Sequence, residues 1–226
     1  MSLINDYVYR ILVMGDSNTG KTHLSHNLCS TTHIANQIFT PTIGVDFYAK
    51  EITSFQKKIK LHIWDTSGDK AFKNIVQAYY NSVAGVILVY DITKRESFEN
   101  VQQWLAEFRE KTHKLCDIPI LIIGNYIDEK KERKVLTHEL ESFGEKNNTM
   151  VFEVCCVDIN NLPPLFQPLW DTITKTFLIP GKYNPGIKRL ENRLFLDTPQ
   201  KKKDVYVISN KKNIQSKKAN KECIIS

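Results

Sequence analysis

The octapeptide Gly15-Asp16-Ser17-Asn18-Thr19-Gly20-Lys21-Thr22 has the spacing GxxxxGK[ST], preceded by an apolar run and followed by a helical pattern. Its chemistry is the cradling of phosphate. Glycines let the backbone wrap so that successive N–H groups point inward, and the helix that follows adds the positive end of its dipole. Lys21 supplies a cation for outer phosphates, and the Thr22 hydroxyl is a ligand for Mg²⁺. Asn18 carries a Cβ where the loop asks for positive φ, and Asn tolerates that region best among non-glycine residues. A second stretch, Ile63-Trp64-Asp65-Thr66-Ser67-Gly68-Asp69, closes an alternating run with a carboxylate, a hydroxyl and a glycine. Asp65 is placed to hold a magnesium-bound water and the Gly68 amide to reach a terminal phosphate. Between the two lies Pro41-Thr42-Ile43-Gly44-Val45-Asp46-Phe47, whose Thr42 hydroxyl is a second candidate for the metal and whose N–H faces the same phosphate.

The elements that must position these residues alternate along the chain. Strands are predicted over 8–15, 45–52, 57–64, 84–91, 118–124 and 150–156. The runs VILVY in the fourth and ILII in the fifth are apolar throughout, as central strands of a parallel sheet must be. In 57–64, Ile59, Leu61 and Ile63 alternate with Lys58, Lys60 and His62, so one face is buried and the other wet. Segments 45–52 and 57–64, joined by 53–56, read as a hairpin, which puts one antiparallel edge on the sheet. Helical spacing links Phe98, Val101, Leu105 and Phe108, and again Phe166, Leu169 or Trp170, Ile173 and Phe177. The class is α/β with a mostly parallel sheet.

At 226 residues, 42% hydrophobic, the chain suits one substantial core with a tail. The net charge of +6 is uneven: residues 1–178 hold 19 basic and 21 acidic side chains, residues 179–226 hold 12 and 4. The excess belongs to a Lys-, Asn- and Pro-rich tail read as mobile. Residues 1–178 are expected to form the folded domain and 179–226 the tail. No apolar run reaches eighteen residues and no signal peptide opens the chain, so a cytoplasmic protein is expected. Five cysteines without CxxC spacing favour neither zinc nor a disulfide framework. Cys155-Cys156 admits a redox or metal reading against buried packing. Cys223-Ile224-Ile225-Ser226 fits C-a-a-X, and Lys clusters upstream supply the second signal that a single lipid needs. No aromatic platform accompanies those lysines, so a membrane surface rather than nucleic acid is the expected partner.

Together, GDSNTGKT, PTIGVDF, KLHIWDTSG and YYNSVAGVILVYDITKRESFENVQQWL resemble the Ras superfamily of small GTPases, and within it the Rab family, over about residues 7–178. The resemblance implies a P-loop NTPase G domain with a six-stranded sheet and five helices. It implies GTP, GDP and Mg²⁺ as ligands. It also implies a monomeric switch read by effectors through Ile43 to Phe47, Trp64 and Tyr79, and served by exchange factors, activating proteins and prenyl carriers. Attachment to the cytosolic face of a membrane through prenylated Cys223 follows from the same likeness. Periodicity alone places Trp64 in the core; the resemblance moves it to an exposed patch.

The departures are specific. The family's NKxD stands as Asn125-Tyr126-Ile127-Asp128, keeping the residues that read guanine and replacing the lysine by Tyr126, which offers a stacking face. Its SAK stands as Cys155-Cys156-Val157, leaving the Cys156 N–H for the guanine carbonyl. The loop from Thr22 to Thr42 is two residues longer than the family pattern, with His33 a candidate to cover base and ribose. Asp69 takes the place of the water-orienting glutamine beside Lys21, Thr42 and Gly68. It is shorter, donates no hydrogen bond when ionised, and brings negative charge toward the phosphate, so slow hydrolysis is expected, with a hydrolysis-deficient GTP-bound scaffold as the alternative. An ATPase or kinase is disfavoured by Asp128.

Overall fold

The computed structural model describes residues 6–30, 39–112, 118–126, 132–156 and 162–190. Asp128, His33 and Cys223 lie outside the described residues.

Strand β1 (Tyr7–Met14) leads to helix α1 (Lys21–Cys29), and β2 (Val45–Ser54) returns as β3 (Lys57–Thr66). Then follow α2 (Lys73–Gln77), β4 (Gly85–Asp91), α3 (Arg95–Lys111), β5 (Ile120–Asn125), α4 (Thr137–Asn147), β6 (Met150–Val154), α5 (Leu162–Ile173) and β7 (Ile187–Arg189). The main sheet order is β2-β3-β1-β4-β5-β6, with β7 paired to β1. All pairs from β3 to β6 are parallel, while β2 runs antiparallel to β3. The mostly parallel α/β sheet with five α-helices and an antiparallel edge is therefore as expected.

Period-2 alternation builds a core on each face of β1. Ile11 and Val13 join Ile59, Leu61 and Ile63 against Leu24 and Leu28 of α1 and Phe166, Leu169, Trp170 and Ile173 of α5. Leu12 and Met14 point the other way, with Leu88 and Tyr90, against Phe98, Val101, Leu105 and Phe108 of α3. Every residue of β4 and β5 is buried, the result of lying between two helical layers.

Two features depart from the sequence reading. The hairpin turn is two residues, Phe55 and Gln56, rather than 53–56: pairing runs on to Ser54 opposite Lys57. Both turn residues have positive φ, 46° and 61°, as a type I′ turn requires. Without Gly or Asn to announce it, the turn is illegible in the sequence. The Lys175 ammonium lies 5.2 Å over the Phe55 ring.

The second departure is a seventh strand. Residues 179–190, assigned by composition to the tail, fold back so that β7 pairs antiparallel with β1 over Tyr7–Tyr9. It occupies the side of β1 that β4, which pairs only from Ile11, leaves open. The turn before it is held by the Asn184 side chain, which accepts the Gly186 N–H at 2.7 Å. Arg10 N–H donates to the Gly186 carbonyl at 2.9 Å, and Leu190 N–H to that of Asp6 at 3.0 Å. Packing thus continues past the expected boundary at 178 through Leu190. No helix among the described residues is long and apolar enough to cross a membrane.

Candidate functional site

Parallel pairing sets the C-terminal ends of β1, β3, β4, β5 and β6 along one edge, the place where open α/β sheets hold ligands. Register does the rest: Val13 opposes Asp65, Asp91 opposes Asn125, and Asn125 opposes Val154. Residues far apart in sequence are thereby delivered to one crevice.

The loop Gly15–Gly20 wraps as its composition predicts. Gly15, Asn18 and Gly20 have φ of 137°, 59° and 87°, and Gly20 closes the loop at the N-terminus of α1. A Cβ on Gly15 would stand 2.1 Å from the Val89 carbonyl oxygen, so the loop seats directly on β4. Lys21 is buried, its ammonium donating to the Asp16 carbonyl at 2.6 Å. Burial lowers its pKa from 10.5 to about 8, against the opposing pull of Asp65 and Asp16. Asp16 turns its carboxylate to α3, where Asn100 Nδ2 and Trp104 Nε1 donate to it at 2.7 and 2.8 Å.

Thr22, Thr42 and Asp65 converge beside Lys21. Thr22 Oγ1 lies 2.9 Å from Thr42 Oγ1 and donates to Asp65 Oδ2 at 2.6 Å; Thr42 Oγ1 lies 3.3 Å from the same oxygen. Asp65 is fully buried, and burial raises its carboxyl from 3.8 to about 6 although Thr22 and Lys21 favour the anion. Its Oδ1 is buried without a hydrogen-bond partner in the described structure. Two hydroxyls and a carboxylate with a buried free oxygen form the hard-oxygen set that suits Mg²⁺, so these residues fit that ion.

Gly68 presses on the phosphate loop, and a Cβ there would meet the Asp16 carbonyl carbon and the Ser17 nitrogen at 2.3 Å. Asp69, one residue on, is exposed. Its Oδ1 accepts the Ala71 N–H at 2.9 Å and caps the short 3₁₀ turn Lys70–Phe72 that precedes α2. Ser17, Lys21, Thr22, Thr42, Gly68 and Asp69 line one cavity of about 620 Å³. A larger one, about 920 Å³, opens at the starts of β5 and β6 and contains none of the predicted residues. Size alone does not make a site, and the first cavity has the chemistry.

At the other end of the crevice, Asn125 Nδ2 donates to the Thr19 carbonyl at 2.8 Å, bracing the phosphate loop. Its Oδ1 accepts the Cys156 N–H at 3.1 Å, so the amide expected to meet guanine is held by Asn125 in this arrangement. Asn27 of α1 fixes the same loop by donating to the Cys156 carbonyl at 2.8 Å. Tyr126 is half-buried against the α3-side core. Cys155 is partly exposed; the buried Cys156 thiol is pushed up to about 11, which keeps it protonated and inert at neutral pH.

Phe39, which no periodicity singled out, also lines the cavity, its ring edge-on to His23 at 4.8 Å and tilted to His26 at 5.4 Å. On the neighbouring surface Phe47 and Trp64 are cross-strand partners, and Trp64 meets Tyr79 edge-on at 4.6 Å under Arg10. All three aromatics are half-buried, and Ile43 is 79% exposed beside them in sequence. Strand alternation sets Trp64 with His62 on the wetter face of β3, away from Ile63.

Comparison with known proteins matches the Ras family over residues 10–175. The Ras-related protein Rab-2B of Dictyostelium discoideum is 35% identical over 182 residues, 80% of this chain and 86% of the relative. The GTP-binding protein ypt3 of Schizosaccharomyces pombe is 38% identical over 174 residues, 77% and 78% of the two chains. The Ras-related protein Rab-11B of Dictyostelium discoideum is 36% identical over 168 residues, 74% of each. With a phosphate-loop sheet edge, a hard-oxygen cluster beside a buried lysine, and this breadth of similarity, the chain belongs to the Ras family as a Rab-type small GTPase.

Proposed function

We propose that this chain is a switch of vesicle trafficking that binds GTP and GDP with Mg²⁺, resets itself slowly, and works on the cytosolic face of a membrane. The observation that carries the nucleotide reading is the convergence of Thr22, Thr42 and Asp65 beside the buried Lys21. The amides of Gly15 to Gly20 cradle the phosphates, Lys21 offers its ammonium to the outer ones, and the Gly68 N–H meets the terminal one. Thr22, Thr42 and Asp65 would hold Mg²⁺. The ion, when bound, neutralises charge on the phosphate oxygens. Asn125 and Asp128 read guanine, with Tyr126, Cys155 and Cys156 around the base. Ile43 to Phe47, Trp64 and Tyr79 meet effectors; exchange and activating proteins act on the same loops. Cys223 carries the prenyl group, received from a carrier protein, and the basic tail adds attraction to anionic lipid.

Slow hydrolysis follows from Asp69. An ionised carboxylate cannot donate to an attacking water, and this one is engaged in capping the turn before α2. Family hydrolysis without an activator is about 10⁻⁴ per second even with glutamine in place. The same observation favours a second reading, a scaffold that stays GTP-bound and recruits effectors without cycling. Single-turnover release of phosphate from [γ-³²P]GTP separates the two. The switch predicts slow release that an activating domain accelerates, and Asp69→Gln raises the unaided rate by about tenfold or more. Release undetectable with the activating domain present would sink the switch and leave the scaffold.

A further inference from the structure

Asn100, Trp104 and Glu107 follow one another at spacings of four and three residues, so they lie on one line of α3. The neighbouring line, Phe98, Val101, Leu105 and Phe108, is buried in the core and fixes the helix to the sheet. The polar groups of the first line hold the phosphate loop and α2. Asn100 and Trp104 both donate to the Asp16 carboxylate, one to each oxygen, and hydrogen bonds to a charged acceptor are the strong ones. Glu107 accepts from Gln77 at 2.7 Å and Tyr80 at 3.2 Å and pairs with Lys73 at 2.5 Å, which ties α2 to the same helix.

Asp16 thus faces two ways. Its side chain belongs to α3, while its carbonyl accepts from Lys21 Nζ at 2.6 Å and Thr19 Oγ1 at 3.0 Å. Its peptide link to Ser17 is also the surface against which Gly68 packs. Whatever fixes the Asp16 carboxylate therefore fixes the resting place of the lysine, the curvature of the phosphate loop and its distance from Gly68.

We infer that Asp16 is a positioning residue through which α3 sets the residence time of the bound nucleotide. The inference rests on the reading of this chain as a guanine-nucleotide switch. The Asn100 and Trp104 bonds hold the loop curled while phosphates are bound; without them the loop opens at lower cost and nucleotide leaves sooner. Because Glu107 grips α2 from the same line, a displacement of α2 is transmitted to the phosphate loop through one rigid helix.

The test is release of a fluorescent GDP analogue from the Mg²⁺-loaded full chain on addition of excess GDP. Trp104→Phe keeps the ring and removes its N–H; Asn100→Ala removes the other donor. Each is expected to speed release by about tenfold, as the loss of a hydrogen bond to a charged group implies. Asp16→Asn, which keeps an oxygen for Trp104, falls between the unaltered chain and Asp16→Ala. The double variant Asp16→Ala/Trp104→Phe is no faster than Asp16→Ala alone, because both act on one bond. A merely structural role makes the double variant additive and moves release only in step with thermal unfolding. Unchanged release in Trp104→Phe and Asn100→Ala, or additivity in the double variant, overturns the brace. If Asn100→Ala does not fold, Trp104→Phe decides alone. If the unaltered chain binds no GDP analogue, the nucleotide reading falls with the brace; binding with unchanged release sinks the brace only.

Discussion

Asp65 and Lys21 are both ionisable, both buried, and both shifted toward neutrality, which gives the site a pH dependence of definite sign. With its carboxyl raised to about 6, nucleotide-free Asp65 takes up a proton as pH falls through 6, and a protonated carboxyl is a poor partner for a metal-bound water. Lys21, lowered to about 8, loses its proton as pH rises through 8, and the neutral amine no longer attracts phosphate. Affinity for Mg²⁺-GDP is therefore expected to be greatest between these values. It should fall on the acid side by up to about tenfold per pH unit as Asp65 must be stripped of a proton, and likewise on the alkaline side as Lys21 must gain one. Titrating the affinity of a fluorescent GDP analogue across that range checks both flanks, and Asp65→Asn should abolish the acid flank while weakening binding at every pH. Folding of the nucleotide-free protein follows different signs. Asp65 binds its proton more tightly folded than unfolded, so its stabilising contribution is present at low pH and lost as pH rises through 6. Lys21 contributes instability that is relieved as pH rises above 8.

Between elements, Asn125 is the joint. Its single carboxamide bonds the loop after β1 through Thr19 and the loop after β6 through Cys156, and it is fully buried at the end of β5. Asn125→Ala strands a buried carbonyl and a buried N–H, each costing about 1–3 kcal/mol. The nucleotide-free protein should therefore melt at a lower temperature, and calorimetry without ligand isolates this joint from any contact with the base. An unchanged melting temperature would mean that water takes over both bonds. Such joints were partly legible beforehand. The strand periods, the GxxxxGKT loop and the aspartate closing β3 carry strong local rules, so the sheet edge and most of the crevice could be read from residue order. Other features obey weaker ones. The turn Phe55-Gln56 lacks turn residues, Phe39 sits in a loop without period, and the capping of Lys70–Phe72 by Asp69 is a local bond that a catalytic reading of the same position obscures. The Asn100–Trp104 grip on Asp16 joins positions 84 and 88 residues apart, and helical spacing marks only the buried line of α3, not the polar one.

At the scale of the whole molecule, the segment beyond α5 decides where the folded body ends. Three residues of mixed polarity, Ile187–Arg189, would not be taken for a strand by pattern, and β7 exists because β4 leaves one side of β1 open over Tyr7–Tyr9. What locks it is Gly186. A Cβ there would stand 2.0 Å from the Val83 carbonyl carbon and 2.1 Å from the Ala84 nitrogen, both main-chain atoms that cannot step aside. The lock sits at the start of β4, while the nucleotide crevice lies past the strands' other ends, so the path from the folded body into the rest of the chain starts far from the switch loops. Gly186→Ala therefore tests the lock without touching the site. It should cost about 1–3 kcal/mol as overpacking, lowering Tm by roughly 3–10 °C in a chain of this size, with nucleotide affinity per folded molecule unchanged. Tyr183→Ala, at a side chain 85% exposed in the same segment, should leave Tm where it is. If the two variants melt alike, β7 is a loose strap; if only Gly186→Ala falls, the fold extends through Leu190 and any tether to a membrane is measured from there.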